Sequence, residues 1–157
     1  MSTNGLETLG GALRGRLLLP ADDGYDAARR IWNVMIDKRP AAIALCSGVA
    51  DVVAALRYAR EKDLAVAVRG GGHNVAGSAL CEGGLLIDLS AMRAVHVDPV
   101  RPCARAQGGA TWADYDRETQ VFGLASTGGA ISTTGIGGLT LGGGFGWLSR
   151  SYGLACV

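Results

Sequence analysis

Eleven of the thirty-one residues from Gly123 to Gly153 are glycine. Inside a helix or strand each glycine costs roughly 0.5–1 kcal/mol relative to alanine, so such a stretch resists becoming ordinary regular structure. The enrichment is regional: residues 1–68 hold six of the 25 glycines, and residues 69–157 hold nineteen. A cluster of this kind implies that something must approach the backbone closely. Only four prolines accompany the glycines, and no Gly-X-Y period is present, so neither collagen nor a Pro/Gly linker fits. With 48% hydrophobic and 18% charged residues, the 157-residue chain is not a disordered one and has the size of one domain.

The net charge of +1 and the lack of a basic stripe argue against a nucleic-acid partner. The two lysines, Lys38 and Lys62, do not follow glycines, which excludes a phosphate-binding P-loop. Cys46, Cys81, Cys103 and Cys156 form no CxxC pair. With only His73 and His96 beside them no metal site is expected, and they read as buried or idle thiols in a reducing compartment. Leu17–Leu19 is too short for a signal-peptide core, and no apolar run approaches the ~20 residues of a membrane span, so a cytoplasmic protein without membrane partners is expected.

Along the chain, residues 1–20 read as a loose leader. Asp22 or Asp23 can cap a helix in which Tyr25, Ala28, Trp32 and Met35 or Ile36 recur at helical spacing, ended by Pro40. Ala41–Cys46 reads as a strand. Ser47 or Gly48 opens a second helix with Val52, Val53, Leu56 and Ala59 as its apolar face, and Leu64–Val68 is a second strand. Strand, helix, strand implies a parallel crossover. Leu85–Asp88 is a third strand, and Val95–Val97 with Cys103–Gln107 a hairpin. Thr111 followed three residues later by Asp114 resembles a capping box, starting a helix that runs to about Thr119.

Two stretches carry the site. Gly70, Gly71 and Gly72 begin where a buried strand ends, the place where open α/β sheets bind ligands. Successive glycine N–H groups turned one way make a nest for an anion such as a pyrophosphate. Arg69 adds charge there or is a solvated flank; His73 and Asn74 follow directly, with Gly77 and Ser78 just beyond. The second stretch, Gly123 to Gly146, has no acidic or basic residue. It offers bare backbone, above all at Gly137, Gly138, Gly142 and Gly143, and the hydroxyls of Ser132, Thr133, Thr134 and Thr140. That inventory suits a large, flat, hydrogen-bonding cofactor. Gly135-Ile136-Gly137 is followed by Thr140 where the dinucleotide fingerprint needs glycine, which disfavours a nicotinamide site.

In these motifs the chain resembles flavoproteins with a PCMH-type FAD-binding domain, the vanillyl-alcohol oxidase-like family. The branch it looks most like is that of the berberine bridge enzyme and 6-hydroxynicotine oxidase. The likeness runs from about Gly24 to Val157 and rests on Arg39-Pro40, Asp51-Val52, Ala59-Arg60, Arg69–Asn74, Ile87–Ser90, Gly109–Trp112 and Thr134–Gly144, in that order. It implies an α+β fold: a small βαβ parallel-sheet subdomain, then part of a second, mainly antiparallel α+β subdomain. The domain would occupy 39–157, after a leader and helix over 1–38. It also implies that Gly70–Asn74 holds the FAD pyrophosphate and that Thr133–Gly143 lines the ribityl chain and isoalloxazine. His73 would be joined covalently to the flavin 8α-methyl group. Together the two stretches read as the two sides of one FAD site.

Members of this branch transfer a hydride from an alcohol, amine or sugar to FAD, and many pass the electrons to oxygen. A second covalent link in some members uses a cysteine that would fall near Ile131; no cysteine lies between Cys103 and Cys156, so a single link is expected. The chain ends at Val157, inside the expected cofactor domain, and reads as a fragment or truncated gene product without its substrate domain. No catalytic base is assigned among Tyr115, Tyr152, Asp114 and Asp116, and no oligomeric state follows. Two alternatives stay open: a non-catalytic FAD-binding remnant, and an enzyme like the UDP-N-acetylenolpyruvoylglucosamine reductase. The noncovalent flavin of that reductase has no need of His73.

Overall fold

The computed structural model describes residues 3–156. It divides into two compact units: Met1–Arg69 with His73–Ala91, and Gly70–Gly72 with Met92–Val157. The chain thus passes from the first unit into the second for three glycines and returns at His73. The fold class is α+β, a mainly parallel sheet followed by an antiparallel hairpin with helices, as the resemblance implies. Among the described residues no helix is long and apolar enough to cross a membrane.

The first unit opens with α1 (Thr3–Ala12) and β1 (Arg16–Leu18). The expected loose leader is therefore wrong. Leu6, Leu9 and Leu13 recur at i, i+3 and i+7 and are all buried, and α1 packs on a later helix. Gly10 and Gly11 obscure that pattern because they lower helix propensity; packing supplies what propensity lacks. The expected helix between Asp22-Asp23 and Pro40 also shrinks, to the single turn α2 (Tyr25–Ala28). The side-chain oxygen of Asn33 accepts from the Met35 N–H and turns the chain aside, leaving Trp32 and Met35 exposed. Asp22 caps the Leu19 N–H at 2.8 Å rather than the helix.

Next come β2 (Ala42–Leu45), α3 (Val49–Glu61), β3 (Val66–Arg69) and β4 (Leu85–Asp88). The sheet order is β1-β2-β4-β3; β2, β4 and β3 are parallel, and β1 is antiparallel to β2. The crossover from β2 to β3 is parallel, as expected, but β4 lies between the two strands. Burial explains the order: every residue of β4 is buried, whereas Val66 and Val68 of β3 are exposed, so β3 takes the edge. Ile43 pairs with Leu86 in the middle of the core, joined by Leu18, Tyr25, Ala67 and Leu80. The Tyr25 hydroxyl donates to the Pro40 carbonyl at 2.5 Å, which pins α2 to the sheet.

The buried face of α3 is Asp51, Ala55, Tyr58 and Ala59; of the apolar face expected, Ala59 is buried and Val52 half-buried, while Val53 and Leu56 face outward. Asp51 decides this. Its carboxylate accepts from the backbone N–H groups of Arg14, Gly15 and Ser47 and from the Ser47 hydroxyl, at 2.8–3.0 Å. Burial opposes the charge, but these donors outweigh it and hold the carboxyl below its usual range. Four hydrogen bonds thereby turn Asp51 inward and tie the start of β1 to the start of α3.

In the second unit β5 (Val95–Asp98) and β6 (Cys103–Ala106) form the expected hairpin. The capping box at α4 (Trp112–Thr119) is present: the Thr111 hydroxyl accepts from the Asp114 N–H, and Asp114 accepts from the Thr111 N–H. Beyond a 3-10 turn at Gln120–Phe122 the chain returns along the entry to α4. Trp112 and Ala113 donate to the Thr134 and Ser132 carbonyls, and Ile136 donates to Ala110. Two short helices, α5 (Ile136–Leu141) and α6 (Ser149–Tyr152), finish the unit.

Candidate functional site

Gly70 and Gly71 pack against the second unit's own backbone. A methyl group on Gly70 would lie 2.7 Å from the Gly108 carbonyl oxygen. One on Gly71 would overlap the Gly135 amide, and one on Gly135 would overlap the Gly71 amide. Neither position admits any other residue unless a main chain moves. Gly72 is buried with φ of 68°, the left-handed region where a side chain is strained. Among the described residues no acceptor meets the N–H of Gly71 or Gly72. Two unpaired amides on a loop that is held rigid and bare fit an anionic, phosphate-bearing group.

The second stretch divides. Gly128 and Gly129 are filled from outside by the Trp112 indole, and Gly137 has the Gly108 carbonyl oxygen 3.3 Å from its would-be methyl group. Gly138, by contrast, has nothing within 4 Å, and with Gly142, Ser132 and Thr133 it is exposed; Thr134 and Gly143 are half-buried. Part of the glycine excess therefore serves the fold, and part leaves a bare, hydroxyl-bearing surface.

In the first unit His73 is half-buried, its ring stacked on Trp32 with centroids 5.6 Å apart and planes 18° from parallel. Asn74 closes the next turn: its side chain accepts from the Ser78 N–H and its carbonyl from the Gly77 N–H. Gly77 is buried against Ile36, whose Cγ2 would lie 2.7 Å from an added methyl group. Arg69 is not a solvated flank. It is buried, paired with buried Asp88 at 2.5 Å, and donates to the Arg30 carbonyl. The two residues are register partners at the C-terminal ends of β3 and β4, and Asp88 also accepts from the Ser90 N–H. Removing either partner would strand a buried charge, at a cost of about 3–5 kcal/mol. Asp88 was missed as a site-building residue, although an acid ending the apolar run Leu85-Leu86-Ile87 was its signal.

Two of the four acid–base candidates have side-chain partners, and the other two are exposed. Asp114 is bound bidentately by Arg93, whose guanidinium, together with the Thr111 donors, pulls its carboxyl down to about 2. The Tyr115 hydroxyl lies 2.7 Å from Ser126 Oγ, and Asp116 and Tyr152 are exposed. Burial pushes the Cys46 thiol up to about 11, which makes it a poor nucleophile. The second unit also holds an apolar cavity of about 450 Å³, with Ala130, Phe145, Trp147, Arg150 and Leu154 in its wall. Sequence reasoning did not foresee it, because scattered apolar residues among glycines carry no periodic signal.

The chain is similar to known flavin-linked proteins over most of its length. A family profile described as an FAD binding domain matches residues 40–157. The (R)-6-hydroxynicotine oxidase of Paenarthrobacter nicotinovorans is 40% identical over 144 residues, which are 92% of this chain and 31% of that protein. The crystal structure of 6-hydroxy-D-nicotine oxidase from Arthrobacter nicotinovorans superposes with a TM-score of 0.89 at 40% identity, covering 91% of this chain and 32% of that one. The berberine-bridge-enzyme-like protein 1 of Physcomitrella patens gives 0.89 at 26% identity, covering 96% and 33%. The chain spans about a third of the length of these relatives.

Proposed function

The chain belongs to the FAD-binding-domain family, and from that premise we propose that it is the cofactor-holding part of a flavin-dependent oxidase. The reading is carried by one observation: a rigid glycine loop with the Gly71 and Gly72 amides unpaired among the described residues, followed immediately by His73. Gly70–Asn74 binds the FAD pyrophosphate, and each hydrogen bond to that charge contributes roughly 1.5–3 kcal/mol. The exposed backbone and hydroxyls of Ser132, Thr133, Gly138 and Gly142 serve the ribityl chain and the ring system. His73 forms the single covalent link, to the 8α-methyl carbon.

When bound, FAD supplies a two-electron acceptor for a hydride from a small alcohol, amine or sugar, and oxygen takes the electrons. The protein's part is to hold the cofactor and keep its reactive face ordered. The test is peroxide release by the full-length protein, in air, across a panel of alcohols, amines and sugars. One substrate class should yield about one peroxide per turnover. Electron transfer to a dye with no peroxide, for every substrate that reduces the flavin, would contradict the oxidase assignment.

A further inference from the structure

The loop from Ile31 to Lys38 belongs to no helix or strand, yet it is fastened to the chain that follows His73. Asn33 Nδ2 donates to the Val75 carbonyl at 2.9 Å. Lys38 Nζ donates to the carbonyls of Gly77 and Leu80 at 3.2 and 3.3 Å, and Ile36 packs into the space left bare by Gly77. At the start of this bracket Trp32 stacks on His73. Trp32 is 62% exposed, so it adds little to the core. An indole held in solvent by a braced loop, flat against an imidazole, has an orienting role rather than a burying one.

We propose that Trp32 is the positioning residue for His73 in flavin attachment, a proposal that rests on the covalent reading given above. The stack fixes the plane of the imidazole, so that a ring nitrogen is presented edge-on while the indole covers one face. In attachment a nitrogen–carbon bond forms to the 8α carbon. The imidazole gives up its N–H proton and the methyl group a C–H proton, and the two electrons left on the flavin pass to dioxygen, which with two protons becomes hydrogen peroxide. Trp32 takes no proton and no electron. It raises the fraction of time the nitrogen spends in line with the methyl carbon.

The experiment follows covalent attachment in the full-length protein incubated with excess FAD, reading acid-stable flavin fluorescence against time and, in parallel, noncovalent FAD affinity. Trp32→Ala should slow attachment about tenfold at unchanged affinity, the effect expected from losing one aromatic stack, and Trp32→Phe should restore most of the rate. The ring-current shift of the His73 protons in the NMR spectrum should vanish in Trp32→Ala and persist in Trp32→Phe. Attachment at the parental rate in Trp32→Ala would overturn the proposal, as would a loss shared equally by both variants or one explained by weaker FAD binding. His73→Ala separates the two readings. If it acquires no acid-stable flavin while Trp32→Ala behaves as the parent, only the role of Trp32 falls; if it still acquires flavin, both fall.

Discussion

Gly71 and Gly135 each occupy the place where the other's side chain would go. The glycine excess pointed to a close approach to the backbone, and that inference was sound. Composition could not say what approaches, because the partner of Gly71 lies sixty-four residues away and is itself a glycine. His73 stood out by position, directly behind the glycine loop, whereas its neighbour Trp32 looked like one apolar position in a helical pattern. The burial of Arg69 was equally hidden: a strand-end arginine reads alike whether solvated or paired with Asp88. These residues make a sharp contrast available. Gly71→Ala and Gly135→Ala should each lower stability by about 1–3 kcal/mol or more, because backbone cannot yield as a side chain does. Gly138→Ala, with open space around it, should be neutral or stabilising by up to about 1 kcal/mol and should weaken FAD retention only. Denaturant midpoints for the three variants check this, and equal losses at all three positions would contradict it.

Elements with local signals were legible and those depending on distant partners were not. The capping box at Thr111, the strand Leu85–Asp88 and the hairpin were readable because a few adjacent residues determine them. The face of α3 was not, since a buried aspartate makes sense only once Arg14, Gly15 and Ser47 are known to surround it. Both Asp51 and Asp114 hold their protons more weakly in the folded chain than in the unfolded one. Their contribution is therefore complete above about pH 4–5, and it is lost as the pH falls through the unfolded value of 3.8 toward the native values, about 2 for Asp114. The denaturant midpoint should drop between about pH 4 and pH 2, and Asp114→Asn should be less stable than the parent at neutral pH but lose less over that window. An unchanged acid slope in the variant would mean that the Arg93–Asp114 pair and the cap contribute little.

At the scale of the molecule, the α+β class and the cofactor were legible from the order of the motifs, from Arg69–Asn74 to Thr134–Gly144. Two subdomains were expected as well, but not that Gly70–Gly72 belong to the second unit, because those three glycines sit between residues of the first. The proposed function needs one covalent bond at one residue, and that bond can be weighed directly. Trypsin cleaves after Arg69 and Arg93 and nowhere between, so His73 is released on the single peptide 70–93. Mass spectrometry of that peptide from the full-length protein, after acid precipitation, should find it carrying the mass of FAD less two hydrogens, with fragmentation placing the addition on His73. The unmodified peptide from a protein that had bound FAD, or the same addition on a different residue, would contradict the account.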